Sequence, residues 1–292
     1  MPEGASTSTC RPQITVAYPP PWRMIAALLT AISGASLPLL LAIVLFSRSQ
    51  PILPMMLMRA FAILAIAPAV ATWLIERAFA MTATIRDDGM VLERGEWRIE
   101  IPCGVIARIT PWTVPLPGSG LSVRLTSGRR FRYGLQLADP SALLEALAGA
   151  GGPESARAAL RHPSVVYAHA KHAGPRRRWY HPLFKFVVFA LVPTLPLFRV
   201  KQFITYGGTF GQYYLRGLQP YLQSFATYWV TLVIYLVLYA GVLRGVAEAA
   251  ALIAARVAPS QAARVRRAAE TGCRVLYYGG VPVLLIRFFL PW

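Results

Sequence analysis

The chain is poor in charge and poorer still in acid. Only 14% of its 292 residues are charged, and 12 acidic side chains stand against 30 Lys and Arg, a net charge of +18. Soluble domains usually carry about 25% charge, so this composition, with a mean hydropathy of +0.47, argues against an ordinary soluble enzyme. Cysteine is scarce as well. Cys10, Cys103 and Cys273 are odd in number and lack CxxC spacing, which excludes a disulfide framework and a structural zinc site. The i,i+3 pair His169/His172 has no carboxylate or cysteine nearby to complete a metal site. His162 and His181 add none, so neither metal nor cofactor is expected. The G-x-S-x-G elbow, HExxH and a Ser/His/Asp set in plausible order are missing. Gly207-Gly208 lacks the Walker Lys-Ser/Thr and a preceding strand. Glu76 and Glu248 fall near the ends of apolar stretches and none lies deep within one. Proton-coupled transport and carboxylate-based intramembrane proteolysis therefore lack their parts.

Long apolar runs are what the sequence has in quantity. A bilayer core of about 30 Å needs about 20 apolar helical residues. Met24–Phe46 qualifies, and no small-residue cleavage site follows it, so an anchor is expected rather than a removed leader. Ile52–Ile75 follows after a turn of about five residues, a length suited to antiparallel neighbours. Leu183–Val200 is short and interrupted by Pro193 and Pro196, which predicts a kink. Phe225–Leu243 is the cleanest span. Val275–Leu290, with Gly279, Gly280 and Pro282, is barely long enough and reads as a fifth span or a re-entrant piece. Arg59, Lys185 and Arg287 lie inside these runs. Lys185 and Arg287 are near enough to an end to snorkel, and Arg59 is closer to an end than to the centre.

The fold class expected is a polytopic α-helical membrane protein of about five spans with an inserted small cytoplasmic antiparallel β-domain. Its divisions are a cytoplasmic tail (1–22), a transmembrane hairpin (23–80), the β-domain (82–149), a basic linker (150–182) and a C-terminal membrane domain of about three spans (183–292). Orientation follows from arginine bias. Residues 78–182 hold fourteen Lys and Arg and residues 244–274 hold six, whereas the opposite side keeps Arg48, Arg199, Lys201 and Arg216. The N-terminus and β-domain are thus expected in the cytoplasm and Trp292 outside. With 27 Arg against 3 Lys, the composition hints at a GC-rich bacterial genome and hence at a bacterial inner membrane.

Between the second and third runs the hydrophobic period changes from 3.6 to 2. Trp97, Ile99 and Ile101 alternate with Arg98 and Glu100. Strands are predicted at Thr82–Arg86, Met90–Glu93, 97–101, Val105–Thr110, Leu121–Thr126 and Arg130–Leu135. Asp87-Asp88-Gly89 and Arg94-Gly95-Glu96 mark turns. Asp139 then caps a helix that opens with Pro140, buries Leu143, Leu144 and Leu147 and stops at Gly149. The segments IRDDGMVLERGEWRIEIP, GVIARIT, LSVRLTSGRRFRYGL and DPSALLEAL, in that order, resemble the small bacterial pleckstrin-homology-like domain of membrane-anchored proteins. The resemblance covers about a quarter of the chain. It implies a seven-stranded sandwich, with Trp112–Pro117 supplying the remaining strand, and a binding or oligomerising module with no catalytic motif.

The last hairpin carries a register argument. Leu125 must pair with Phe131 and Val123 with Tyr133 to share a face, which requires an odd loop, expected as Ser127-Gly128-Arg129, or a bulge. Arg124 then faces Arg132, with Arg130 beside them. Opposed like charges are unfavourable, and a lipid phosphate would relieve them. Arg176-Arg177-Arg178 before Trp179-Tyr180 suit an anionic headgroup layer and its aromatic belt. Nucleic acid is not an expected partner. The stretch Phe198–Ser224, rich in Tyr, Phe, Gly and Gln, reads as an interfacial or re-entrant connector and offers Lys201 and Tyr206 as contact residues. Glu248, four residues after Arg244, is expected in a local surface pair.

Lipid or partner contact is therefore assigned to Arg124, Arg130, Arg132, Arg176, Arg177, Arg178, Lys201 and Tyr206. The function expected is a non-enzymatic inner-membrane protein that binds anionic lipid or a partner protein, assisting the assembly or regulation of a membrane complex. The alternative is a membrane-embedded enzyme or transporter for lipid or glycan intermediates, its polar site among Lys185, Lys201, Gln202, Tyr206 and Gln212. Convergence of these five on one enclosed cavity would discriminate between the two.

Overall fold

The computed structural model describes residues 13–46, 53–86, 89–149, 152–174 and 180–289. Two compact units emerge: Met1–Ile32, Pro68–Pro175 and Glu248–Arg267 form one, and Ser33–Ala67, Arg176–Ala247 and Ala268–Trp292 the other. Among the described residues four helices are long and apolar enough to cross a membrane: α1 (Pro20–Phe46), α2 (Pro54–Ala78), α6 (Tyr180–Tyr206) and α8 (Leu218–Val257). This is a membrane protein. The expected fifth span falls within α9 (Ala262–Phe289), whose side chains beyond Val283 lie outside the described residues, as do Cys10, Arg48 and Trp292.

The first unit is built on a seven-stranded antiparallel sheet in the order β4-β3-β2-β1-β7-β6-β5. The strands are β1 (Gln13–Tyr18), β2 (Ala80–Arg86), β3 (Gly89–Arg94), β4 (Trp97–Pro102), β5 (Ile106–Pro111), β6 (Gly120–Leu125) and β7 (Gly134–Leu137). Five of them match the alternation read from the sequence, and β7 shares only Gly134 and Leu135 with the expected strand Arg130–Leu135. The seventh comes from the N-terminus and not from Trp112–Pro117. β1 lies between β2 and β7, pairing Val16 with Ala80 and with Gln136. One residue separates β1 from α1, and one separates α2 from β2. Two membrane helices are therefore continuous with two neighbouring strands, with no flexible linker between.

The sheet has two distinct faces. One buries Ala17, Met90, Leu92, Ile109, Leu121, Val123, Leu135 and Leu137 under Leu143, Leu144 and Leu147 of α3 (Pro140–Gly149). Asp139 caps α3, its Oδ1 accepting from the Ser141 N–H at 3.0 Å. The opposite face presents Val16 and Tyr18, which pack with Ala26 of α1, Ile75 of α2, Phe79 and Trp112. Trp112 is held there by its indole N–H, which donates to Ser122 Oγ at 3.0 Å. Gly120 and Gly134 make room for its ring, since a Cβ on either would come within 2.8 or 2.9 Å of it. The Arg23 guanidinium lies 4.0 Å above the same ring.

Within 150–182, expected as a linker, the described residues 152–174 carry two helices, α4 (Glu154–Leu160) and α5 (Pro163–His172). Ser155 of α4 accepts the Ile109 N–H at 3.0 Å, which satisfies a donor on edge strand β5 that would otherwise lack a ladder partner. On α5, Tyr167 and Ala170 pack with Ala251, Ala254 and Ala255 of α8 and Ala262 of α9.

The second unit is helical. Leu40, Leu57, Ile234 and Leu238 form one cluster and Ala190, Leu236, Ala240, Tyr277 and Val281 another. Gly241 lets α8 approach α1 so closely that a Cβ would lie 2.6 Å from Leu37, the small-residue contact typical of helices in lipid. α2 and α6 each contain one π-turn, at Ala62–Ile66 and Phe184–Val188. Such turns loosen the backbone ladder. Side chains from neighbouring helices bond to carbonyls within them: Ser33 Oγ donates to Ala65 O at 2.8 Å, Tyr277 Oη to Lys185 O at 2.9 Å and Trp229 Nε1 to Val187 O at 3.2 Å. α6 runs for 27 residues despite Pro193 and Pro196, longer than its apolar stretch predicts.

Candidate functional site: an arginine row on the sheet

The β6–β7 hairpin turns through three residues, Thr126, Ser127 and Gly128. Leu125 O accepts from Gly128 N, and Arg129 O accepts from Leu125 N, both at 2.9 Å. Gly128 has φ 78°, a conformation that a side chain would strain. The odd loop agrees with the register argument, although it sits one residue earlier than Ser127–Arg129. Leu121 pairs with Leu135, as the predicted register requires, but nearer the tip Arg124 pairs with Arg130. The slip between these two points is two residues, so it preserves which side chains face the core. Arg124 therefore opposes Arg130 in place of Arg132. Arg132 is exposed, its guanidinium 5.8 Å from the Tyr133 ring centre.

A third arginine joins from the other side. Arg108 on β5 pairs with Arg124 on β6, beyond a register shift between Ile106 and Arg108. Simple alternation would put Arg108 on the same face as Ile106, which is buried. The shift puts it on the outer face with Arg124. Arg108 on β5, Arg124 on β6 and Arg130, bridged to Arg124 outside β7, thus form a row, all exposed. Arg124 Nε donates to Gly128 O at 3.2 Å. Among the described residues no carboxylate lies within 4 Å of any of the three. Cross-strand like charges cost a few tenths to about 1 kcal/mol per pair, and a bound anion would offset this by accepting charge-assisted hydrogen bonds.

The remaining assigned residues do not join this row. Arg176, Arg177 and Arg178 lie outside the described residues. Lys201 stands 5.3 Å from the Tyr228 ring centre, and Arg216 stands 5.9 Å from that of Tyr206. Gln202 and Gln212 are buried and bonded to each other: Gln202 Nε2 donates to Gln212 Oε1 at 2.8 Å, and Gln212 N to Gln202 Oε1 at 3.3 Å. They tie down the connector that carries α7 (Gly211–Arg216), with Gly207 and Gly217 at positive φ at its two ends. Lys185 sits 4.2 Å from the Tyr277 ring centre and 5.0 Å from that of Phe186. The two glutamines thus bond to each other, while Lys185, Lys201 and the Tyr206 ring each meet a different partner.

Two polar clusters were not legible in the sequence. Glu248, expected in a local pair, is gripped by residues distant in the chain. Arg266 of α9 makes a two-point contact at 2.7 and 3.1 Å, and Tyr167 of α5 donates at 2.6 Å. Burial and that hydrogen bond push the Tyr167 hydroxyl well above its usual value. The second cluster is Asp139, Ser141 and His169. Both Ser141 Oγ and Asp139 Oδ2 lie 3.1 Å from the same ring nitrogen, His169 Nδ1, and Ser141 Oγ donates to Asp139 Oδ1 at 2.6 Å. A nucleophile relay needs serine and carboxylate on opposite ring nitrogens. This set instead pins the start of α3 to α5. No protein-family model matches the chain, and comparison with curated proteins and with solved structures finds no match.

Proposed function

We propose that this chain is a non-enzymatic binding protein of a bacterial inner membrane, whose sheet presents a docking face to lipid or to a partner protein. The observation that carries the reading is the junction between sheet and helices. β1 enters α1 across Pro19 and α2 enters β2 across Phe79, and Gln136 of β7 donates to Glu76 of α2 at 3.1 Å. A sheet joined in this way is held at a fixed attitude to the helix ends it packs against, which suits display of a binding surface. Seven antiparallel strands closed by α3 suit the pleckstrin-homology-like resemblance. The arginine bias of residues 78–182 supports a cytoplasmic sheet. Assistance in assembling or regulating a membrane complex is the role such a display would serve.

The test is affinity purification of the full chain from native membranes, with mass spectrometry of what elutes. The expected result is one stoichiometric protein or a defined lipid retained by the wild type. Loss of a specific lipid or glycan modification on deletion, with nothing retained by the protein, would instead establish the enzyme reading. A reporter fused near Gly128 that is active only in the periplasm would reverse the proposed orientation.

A further inference from the structure

We propose that Arg108, Arg124 and Arg130 together hold the phosphate of an anionic lipid in the bilayer that the protein itself occupies. The inference rests on the docking reading above and names the occupant. It starts from register. Val16 pairs with Gln136, Gly120 with Gln136, and Leu121 with Leu135. Side chains alternate between faces along each strand, so Val16, Tyr18, Gln136, Gly120, Ser122 and Arg124 share one face. Arg108 and Arg130 pair with Arg124 and lie on the same face.

This is the face on which the membrane helices pack. Val16 and Tyr18 meet Ala26 of α1 and Ile75 of α2, and Gln136 bonds to Glu76. Ser122 lies one step from Tyr18 across β7, and Arg124 is two residues further along β6. At about 3.3 Å per residue the row begins only about 7 Å beyond the level of Tyr18. The row thus lies on the face of the sheet that packs against Ala26 of α1 and Ile75 of α2. Trp112, buried beneath Arg23, fills the strip between.

The chemistry selects phosphate. Arg124 stands between Arg108 on the adjacent strand and Arg130 directly opposite, so guanidinium groups flank it on both sides. Guanidinium groups bind phosphate oxygens through paired N–H donors. Carboxylates that would compete are lacking around the row among the described residues, and all three arginines are exposed. A zwitterionic headgroup brings its own cation and gains less from such a cluster.

The experiment uses the full chain purified in detergent, mixed with phosphatidylglycerol and phosphatidylcholine in equal amounts, with retained lipid counted by native mass spectrometry. Wild type is expected to retain phosphatidylglycerol in preference. Each arginine replaced by Gln is expected to weaken retention about fivefold, and the triple variant R108Q/R124Q/R130Q to lose the preference. R157Q/R161Q, on and just after α4, keeps it. Thermal unfolding of the triple variant shows whether it is folded, and R124K/R130K, which keeps the charge, recovers part of the preference. Equal retention by the triple variant and wild type overturns the site. Displacement of the lipid by millimolar inorganic phosphate overturns the lipid assignment in favour of a free anion. A partner protein recovered from native membranes with no lipid preference overturns this inference while leaving the docking reading in place.

Discussion

Glu248 in the sheet unit and Gln202 in the helical unit are buried polar groups satisfied in different ways. In the sheet unit Glu248 is matched by full charge, with the Arg266 guanidinium at 2.7 Å and Lys171 at the edge of contact, 3.9 Å away. In the helical unit several described bonds are neutral. Gln202 meets Gln212, and Ser33, Trp229 and Tyr277 donate to backbone carbonyls. The difference follows from the solvent around each. Next to water a charged pair keeps part of its solvation, whereas in hydrocarbon an ion is expensive and neutral amides and hydroxyls satisfy the backbone at lower cost. Lys185, a cation of α6, lies against the faces of Phe186 and Tyr277, where the negative ring faces attract it.

The largest test of that contrast is Arg266→Ala. Removing one partner leaves Glu248 partly buried beside Tyr167, and the expected loss is about 3–5 kcal/mol, read as a lowered thermal midpoint in detergent. Replacing both charges in E248L/R266M should recover most of it. An unchanged midpoint in R266A would show that the contact is ornamental and the contrast unfounded. The neutral side is probed by Gln202→Leu. Bonds between helices in lipid average about 0.6 kcal/mol, up to about 1.7, so its cost should be several times smaller than that of R266A. The Q202L/Q212L double variant should add little to it. A cost for Q202L equal to that of R266A would erase the distinction between the units.

The smallest expected effect is a pH dependence in the sheet unit. His162 caps α5, its Nδ1 accepting from Ser164 N at 3.3 Å, and burial holds the ring below the usual histidine value. A neutral ring is the form the fold prefers. The unfolded chain takes up the proton first, so this contribution is intact above the ordinary histidine range and fades as pH falls through it. Thermal midpoints measured from pH 7.5 to 5 should fall, and His162→Asn, a cap that does not titrate, should flatten the slope. An identical slope in the variant would remove His162 from the account.

Much of the sheet could be read in advance because alternation is local. Trp97 to Ile101 and Leu121 to Leu125 declare their faces without reference to anything distant, and Asp139-Pro140 declares a helix start. The same holds for the odd hairpin loop, since parity alone demands it. β1 was legible in principle, because Ile14, Val16 and Tyr18 alternate with Thr15 and Ala17. Its six residues stand before a proline run and an apolar helix, however, and nothing local says that they belong between β2 and β7. Arg108 was hidden for a related reason. A bulge before it reverses the face that alternation predicts, and a bulge is a property of the strand pair.

The sequence by itself determined that apolar helices alternate with a small sheet, that acid is nearly excluded from the spans, and that one hairpin concentrates arginine. Those features follow from transfer energies and side-chain periodicity, which act over a few residues. Only the tertiary structure decided that an N-terminal strand completes the sheet, that Glu248 is met by α5 and α9, and that Arg108 stands in line with Arg124 and Arg130. Each depends on pairing between residues far apart in the chain. The energy that selects such pairings is shared across a whole register or cluster and is written in no single stretch.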